Sequence, residues 1–268
     1  MVTRRLIVAM AVVGCFLSLC PGGTGSTEHY SRNHFLSRRE MRDEVLDMFY
    51  HAYGNYREHS FPHDELQPLS CSGDSSFYGG LSLSMLDALD TLAIIGDYEN
   101  FTQAANVVGR REDFDVNVSV SVFETNIRIV GGLLSAHMLA ADEDLAIYRP
   151  QYANGKPYNG FLLRLAKDLA DRLLPAFDTP TGIPYGSINL KYGIKEDEST
   201  IVCTAAAGTF VLEFGVLSRL LGDPVYEQVA RRATRSIFGL RSEIGLVGGH
   251  VDIESGVWTQ VLVIFCCV

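Results

Sequence analysis

Cysteine is scarce in this chain, six in 268 residues, and no two cysteines stand in a C-x-x-C pair. That removes the usual signatures of zinc ribbons and thioredoxin-like redox sites. Basic residues are also in short supply. Lys and Arg number 22 against 32 Asp and Glu, a formal charge of −10, and no basic run is interleaved with aromatics, so nucleic acid is set aside as a partner. Long apolar runs are missing as well. Residues 6–19, after M-V-T-R-R, have the length of a signal-peptide core and are too short to span a bilayer comfortably. Residues 1–23 therefore read as a signal peptide or anchor. No A-x-A site is present, so cleavage and retention both stand open, and residues 24–36 read as a polar linker.

Apolar residues make up 47% of the chain and aromatics 10%, enough for the core of one large domain or two small ones. Beyond the signal only Cys71, Cys203, Cys266 and Cys267 remain, so the core, not a disulfide framework, must stabilise the fold. Asn100-Phe101-Thr102 and Asn117-Val118-Ser119 are glycosylation sequons, which agree with entry into the secretory pathway.

Residues 122–141, V-F-E-T-N-I-R-I-V-G-G-L-L-S-A-H-M-L-A-A, organise the pattern. Phe123, Ile127, Val130, Leu134 and Met138 recur at helical spacing, and Ile129, Leu133, Ala136 and Leu139 put apolar groups on the remaining sides. A helix that is apolar almost all round is an inner helix. Its first two turns carry Glu124 and Arg128 at i and i+4, on one face. Buried charge is costly, so such groups are paired or functional.

The pattern repeats. Residues 81–95 form a second apolar helix whose ionisable groups are Asp87 and Asp90, and residues 205–221 a third that carries Glu213. Asp87 and Asp90 either line a pocket or bond loop backbone from the core. Amphipathic, outer helices are expected at 41–56, 97–108, 159–174 and from Pro224 to 240. Ser37-Arg38-Arg39-Glu40 reads as a capping box, and both Gly96-Asp97 and Gly222-Asp223-Pro224 read as a stop followed by a start. The loop 61–71 holds adjacent carboxylates, Asp64 and Glu65; Pro62 breaks the helix that would bring His59 and His63 together as metal ligands. Apolar helices each followed by an amphipathic one imply an all-α ring or stack of helical hairpins with inner helices lining a central cavity. Segments 182–193 and 245–256 align without gaps, and each is expected to form a short β-hairpin. By the spacing of the first copy, the next inner helix falls at the C-terminus. The chain thus reads as a fragment, its domain spanning 37–260 and its residues 261–268, V-L-V-I-F-C-C-V, a divergent apolar tail.

At F-E-T-N-I-R-I-V-G-G-L-L-S-A-H the sequence resembles family 47 glycoside hydrolases, α-1,2-mannosidases, and most of all their endoplasmic-reticulum degradation-enhancing branch. F-P-H-D-E-L at 61–66, L-D-A-L-D-T-L at 86–92, L-L-P-A-F-D-T-P-T-G-I-P-Y at 173–185, C-T-A at 203–205, L-E-F at 212–214 and L-L-G-D-P at 220–224 support it in family order. The resemblance implies an α/α toroid, here incomplete, and inverting removal of α-1,2-linked mannose. It implies Glu124 as proton donor and Arg128 and Glu213 as sugar-pocket residues. It also implies a calcium ion, whose threonine ligand belongs to a part of the family fold that this chain does not match. The implied partners are high-mannose N-glycans and misfolded glycoproteins in the endoplasmic-reticulum lumen.

From spacing alone, Glu124 and Arg128 also fit a helix-stabilising ion pair of about 0.2–0.5 kcal/mol. An inverting glycosidase needs two carboxyl groups about 6.5–9.5 Å apart, one protonating the leaving oxygen and one activating water. The family's further acidic residues lie beyond the matched region, so the expectation is an inactive chain or a glycan- or client-binding protein on the same scaffold. Cys71 and Cys203 either pair with each other or stay free for a mixed disulfide with an oxidoreductase.

Overall fold

Short polar side chains and glycines decide where the helices start and stop. The structure is a computed structural model that describes residues 37–261; the expectations for 1–36 and for 262–268 lie outside the described residues. Two units are distinguished, one ending at Met41 and one running on from Arg42. In the first, Ser37 N–H donates to Glu40 Oε2 at 2.7 Å and Glu40 N–H to Ser37 Oγ at 3.3 Å, the expected capping box. It opens helix α1 (Arg38–His59).

The second unit is built of helical hairpins. Its strands and helices run β1 (Glu65–Gln67), β2 (Ser72–Asp74), α2 (Leu83–Asp87), α3 (Leu89–Ile94), α4 (Tyr98–Val108), β3 (Ser119–Ser121), α5 (Val122–Glu124), a π-helical turn (Thr125–Val130) and α6 (Gly131–Ala141). Then come α7 (Phe161–Leu173), β4 (Ser187–Asn189), β5 (Ile201–Cys203), α8 (Thr204–Gly208), α9 (Val211–Leu221), α10 (Val225–Gly239), β6 (His250–Asp252) and β7 (Trp258–Gln260). Helix α3 packs on α4, α6 on α7 and α9 on α10, while α6 also touches both α3 and α9. The inner helices therefore stand in a row with α6 in the middle, as the apolar patterning predicts. Asp97 accepts from Asn100 N–H at 3.1 Å to cap α4, and Gly96, at φ +87°, supplies the left-handed residue that ends the helix before it.

Two expectations need correction. None of the inner helices is continuous: 81–95 is interrupted at Ala88, 205–221 at Thr209 and Phe210, and 122–141 by the π turn. A π turn closes its hydrogen bonds one residue later than an α turn, and such turns are frequent at functional sites. The second correction concerns the repeated segments. Strand β4 pairs antiparallel with β3, and β6 pairs antiparallel with β5. Each copy thus docks on the strand that leads into an inner helix; the only local pairing in the first copy is the Asn189–Gly193 bridge, whereas in the second β6 also turns back to pair antiparallel with β7, the expected hairpin. The repeat itself is structural, because Ile188 faces Val120 as Val251 faces Val202.

Close approach explains one of the two glycines of the middle helix. A Cβ on Gly132 would lie 3.2 Å from the Leu86 carbonyl oxygen, whereas one on Gly131 would make only ordinary contact, 3.5 Å from Glu213 Cγ. Along α1 the expected apolar face is covered in part: Tyr53 and Tyr56 are buried, but Val45 and Met48 are more than 60% exposed.

The adjacent carboxylates of the first loop have separate fates. Asp64 is buried, its two oxygens accepting from Gly80 N–H at 2.8 Å and Leu83 N–H at 3.1 Å, so it fixes the loop that starts α2. Glu65 lies exposed on β1. Asp64→Ala strands two backbone donors and is expected to cost about 2–5 kcal/mol, whereas Glu65→Ala is expected to stay within about 0.5 kcal/mol. Urea unfolding of the two variants checks this, and equal losses would contradict it.

Candidate active site

Strand β3 delivers the chain into α5, and Ser121 Oγ caps that helix by accepting from Glu124 N–H at 3.3 Å. Because Ser121 also pairs with Ser187 of β4, the backbone that carries Glu124 is held from two sides. Glu124 Oε2 accepts from Arg128 Nε at 2.6 Å, and Arg128 Nη1 reaches Asp87 Oδ2 of α2 at 3.4 Å. One guanidinium therefore joins carboxylates from two inner helices. All three side chains stay reachable from solvent, at 22% exposure for Glu124, 44% for Arg128 and 38% for Asp87.

Asp87 resolves one of the open sequence readings. Although solvent reaches it, burial by the surrounding protein lifts its carboxyl above the usual range, and Arg128 opposes that shift. It also lines a cleft of about 710 Å³ between α1, the β1–β2 hairpin and α2–α3, together with Tyr56, His59, Glu65 and Cys71. Asp90 does something else. It accepts from Ser135 Oγ of α6 at 3.1 Å and so ties two inner helices together, while burial raises its carboxyl too. Tyr78, in the loop before α2, completes the cluster: burial raises its phenol, and Glu124 adds to the rise. Nothing in the spacing of the sequence singled out Tyr78, because a loop aromatic carries no periodic signal.

Glu213 sits apart from the open face. It is 4% exposed, in the first turn of α9, and its Oε2 accepts from Asn126 Nδ2 at 2.9 Å. Burial raises its carboxyl, opposed by its own backbone N–H and by Asn126. The sequence reading missed Asn126, which lies in the π turn between Glu124 and Arg128 and is fully buried; the i, i+4 spacing of the two charges drew attention past it. Cys71 is exposed and Cys203 half-buried, and both thiols are free, so the two do not pair. His63 Nδ1 lies 3.1 Å from Ser75 Oγ, and no group of three His, Cys, Asp or Glu able to hold a metal occurs among the described residues. The two sequon asparagines differ. Asn100 donates from Nδ2 to Asp97 Oδ2 and accepts at Oδ1 from Arg57, both at 2.8 Å, and the hydroxyl of its Thr102 is buried. Asn117 is exposed, and among the described residues its side chain only accepts, from Asn189 Nδ2.

Comparison with known proteins places this geometry. The sequence model of glycosyl hydrolase family 47 matches residues 48–264. The chain is 52% identical over 222 residues to alpha-mannosidase I MNS4 of Arabidopsis thaliana, covering 83% of this chain and 34% of that protein. It is 45% identical over 260 residues to the ER degradation-enhancing alpha-mannosidase-like protein 2 of Mus musculus, covering 95% of this chain and 42% of that protein. It thus spans well under half the length of either relative. Among solved structures, an alpha-1,2-mannosidase from Trichoderma reesei superposes with a TM-score of 0.71 at 32% identity, over 81% of this chain and 45% of that one. That likeness supports the α/α toroid class.

In a secretory host, Asn117 is expected to carry a glycan and Asn100 to remain bare, because only Asn117 has its amide nitrogen uncommitted in the fold. Asn117→Gln should abolish the mobility shift on glycosidase treatment, and loss of that shift in Asn100→Gln instead would contradict the assignment.

Proposed function

This chain belongs to glycosyl hydrolase family 47, and we propose that it is an α-1,2-mannosidase-like protein of glycoprotein quality control in the endoplasmic-reticulum lumen. Its ligands are high-mannose N-glycans on misfolded glycoproteins destined for degradation. The observation that carries this reading is the Glu124–Arg128–Asp87 cluster, held open to solvent on adjacent inner helices. Relatives named ER degradation-enhancing alpha-mannosidase-like proteins supply the cellular context, and the signal-like residues 1–23 and the two sequons agree with a lumenal site.

In this reading Glu124 is the proton donor, the role the family resemblance gives it; it is partly shielded from solvent and held in place by Arg128. Arg128 orients Glu124 and offers Nη1 to the sugar or to Asp87. Neither of the other two inner-helix carboxylates expected or found at the site is available as a second group: Asp87 hangs from the same guanidinium, and Glu213 is buried against Asn126. An inverting pair must act on opposite faces of the sugar. The 268-residue chain by itself is therefore proposed to bind glycan without turning it over. Calcium takes roughly 6–8 oxygen ligands; among the described residues no group of three His, Cys, Asp or Glu offers an anchor for one, and no step here runs through calcium. The exposed Cys71, at the turn of the β1–β2 hairpin, is proposed to exchange with an oxidoreductase. Its thiolate attacks the partner's disulfide, forming the mixed disulfide and releasing the partner's second thiolate.

The full chain is expected to retain a high-mannose glycan on an array and to release no mannose from it. Turnover that Glu124→Gln abolishes would overturn the inactive reading, and absence of binding would overturn the glycan reading itself. Trapping from cells under non-reducing conditions should yield a mixed disulfide that Cys71→Ser removes and Cys203→Ser leaves intact.

A further inference from the structure

Beneath the open cluster one buried acceptor lacks a donor. Asn126 is fully buried, its Nδ2 donates to Glu213 Oε2 at 2.9 Å, and its Oδ1 has no hydrogen-bond partner among the described residues. An orphaned buried acceptor is destabilising and calls for a reason. Glu213, 4% exposed, faces the converse difficulty, since an ionised carboxylate in the core needs a countercharge. None is supplied. On the elements packed around α9, Arg128 of the π turn is taken by Glu124 and Asp87, His137 of α6 by Tyr158, Asp171 of α7 by Lys167 and Tyr226. Glu227 of α10 is held by Arg231 and by Arg219 of α9 itself. No charged group acts on the Glu213 carboxyl.

One proton answers both difficulties. We infer that Glu213 is held as a neutral carboxylic acid whose Oε1–H donates to Asn126 Oδ1, closing a ring of two hydrogen bonds between acid and amide. A carboxylic acid carries its hydroxyl beside its carbonyl and a primary amide its oxygen beside its NH2, so the groups are complementary edge to edge. Asn126 stands two residues from Glu124 and two from Arg128, so the ring pins α9 to the π turn that aims both. Asn126 and Glu213 are positioning residues, and a neutral Glu213 is no base. This goes beyond the proposed sugar chemistry and does not depend on it.

Linkage gives the test. A carboxyl that keeps its proton in the fold contributes stability that is full below its unfolded pKa of about 4.3 and is lost as pH rises toward its folded value. In the full chain, the folded-to-unfolded ratio of wild type relative to Glu213→Gln, the uncharged isostere, is expected to fall as pH is raised from about 4.3 to 7, by at most about tenfold per pH unit. A ratio that does not change with pH over that range would overturn the inference. Should Glu213→Gln not fold, isotope-edited infrared spectra of wild type labelled at the glutamate carboxyl carbon decide alone. A protonated glutamic acid band at neutral pH is expected, and carboxylate bands only would overturn it. Where the variant does fold, its spectrum must lack that band; persistence would assign the proton elsewhere and equally defeat the inference.

Discussion

The middle inner helix has to satisfy neighbours on three sides while leaving a charged edge open. It packs on α2–α3, on α7 and on α9, so residues such as Ile129, Leu133 and Ala136 have no exposure at all. A regular α-helix repeats every 3.6 residues and would carry its polar groups around with its apolar ones. The π turn at Thr125–Val130 breaks that repeat. Asn126, two residues from each of Glu124 and Arg128, lies about 200° round the helix from the first of them, so it faces the core and meets Glu213 while Glu124 and Arg128 face solvent and Asp87. Gly132, which follows the π turn, lets the rest of the helix close onto the Leu86 backbone.

Much of the fold is written locally. Gly96 and Asp97, Gly222 and Asp223, Ser37 and Glu40 each act within a few residues, so helix limits can be read from them. The hairpin order can also be read, because apolar and amphipathic helices differ in composition along their whole length. What cannot be read is whatever depends on a distant partner. Alternation between glycines in 182–193 and 245–256 signals strands, but strand pairing is set by which backbone stands alongside: β4 pairs with β3, and β6 pairs with β5 as well as with β7, its local hairpin partner. The π turn is hidden for a similar reason: T-N-I-R-I-V has no feature that an α-helix would reject.

The candidate site divides along the same line. Glu124 and Arg128 are legible as a pair because helical spacing alone brings them together. Asp87 and Asp90 are not separable by sequence, since both are lone carboxylates in one apolar helix three residues apart. Only the neighbouring helix distinguishes them, by offering a guanidinium to the first and the Ser135 hydroxyl to the second. Family resemblance carries Glu213 to the sugar pocket, but packing closes α9 around it and gives its carboxyl an amide to face.

Three carboxyl groups of the inner row thus meet three environments, and the environments, not the residue types, separate their chemistry. Glu124 has a guanidinium at 2.6 Å and a solvent-facing edge; Asp87 has the same guanidinium at 3.4 Å and a crowded cleft; Glu213 has no charge near it and almost no water. Acid and base roles become distinct where surroundings push carboxyl groups apart in proton affinity. Burial raises the carboxyls of both Asp87 and Glu213, but a guanidinium opposes the rise only at Asp87, whereas at Glu213 the opposition comes from hydrogen bonds alone.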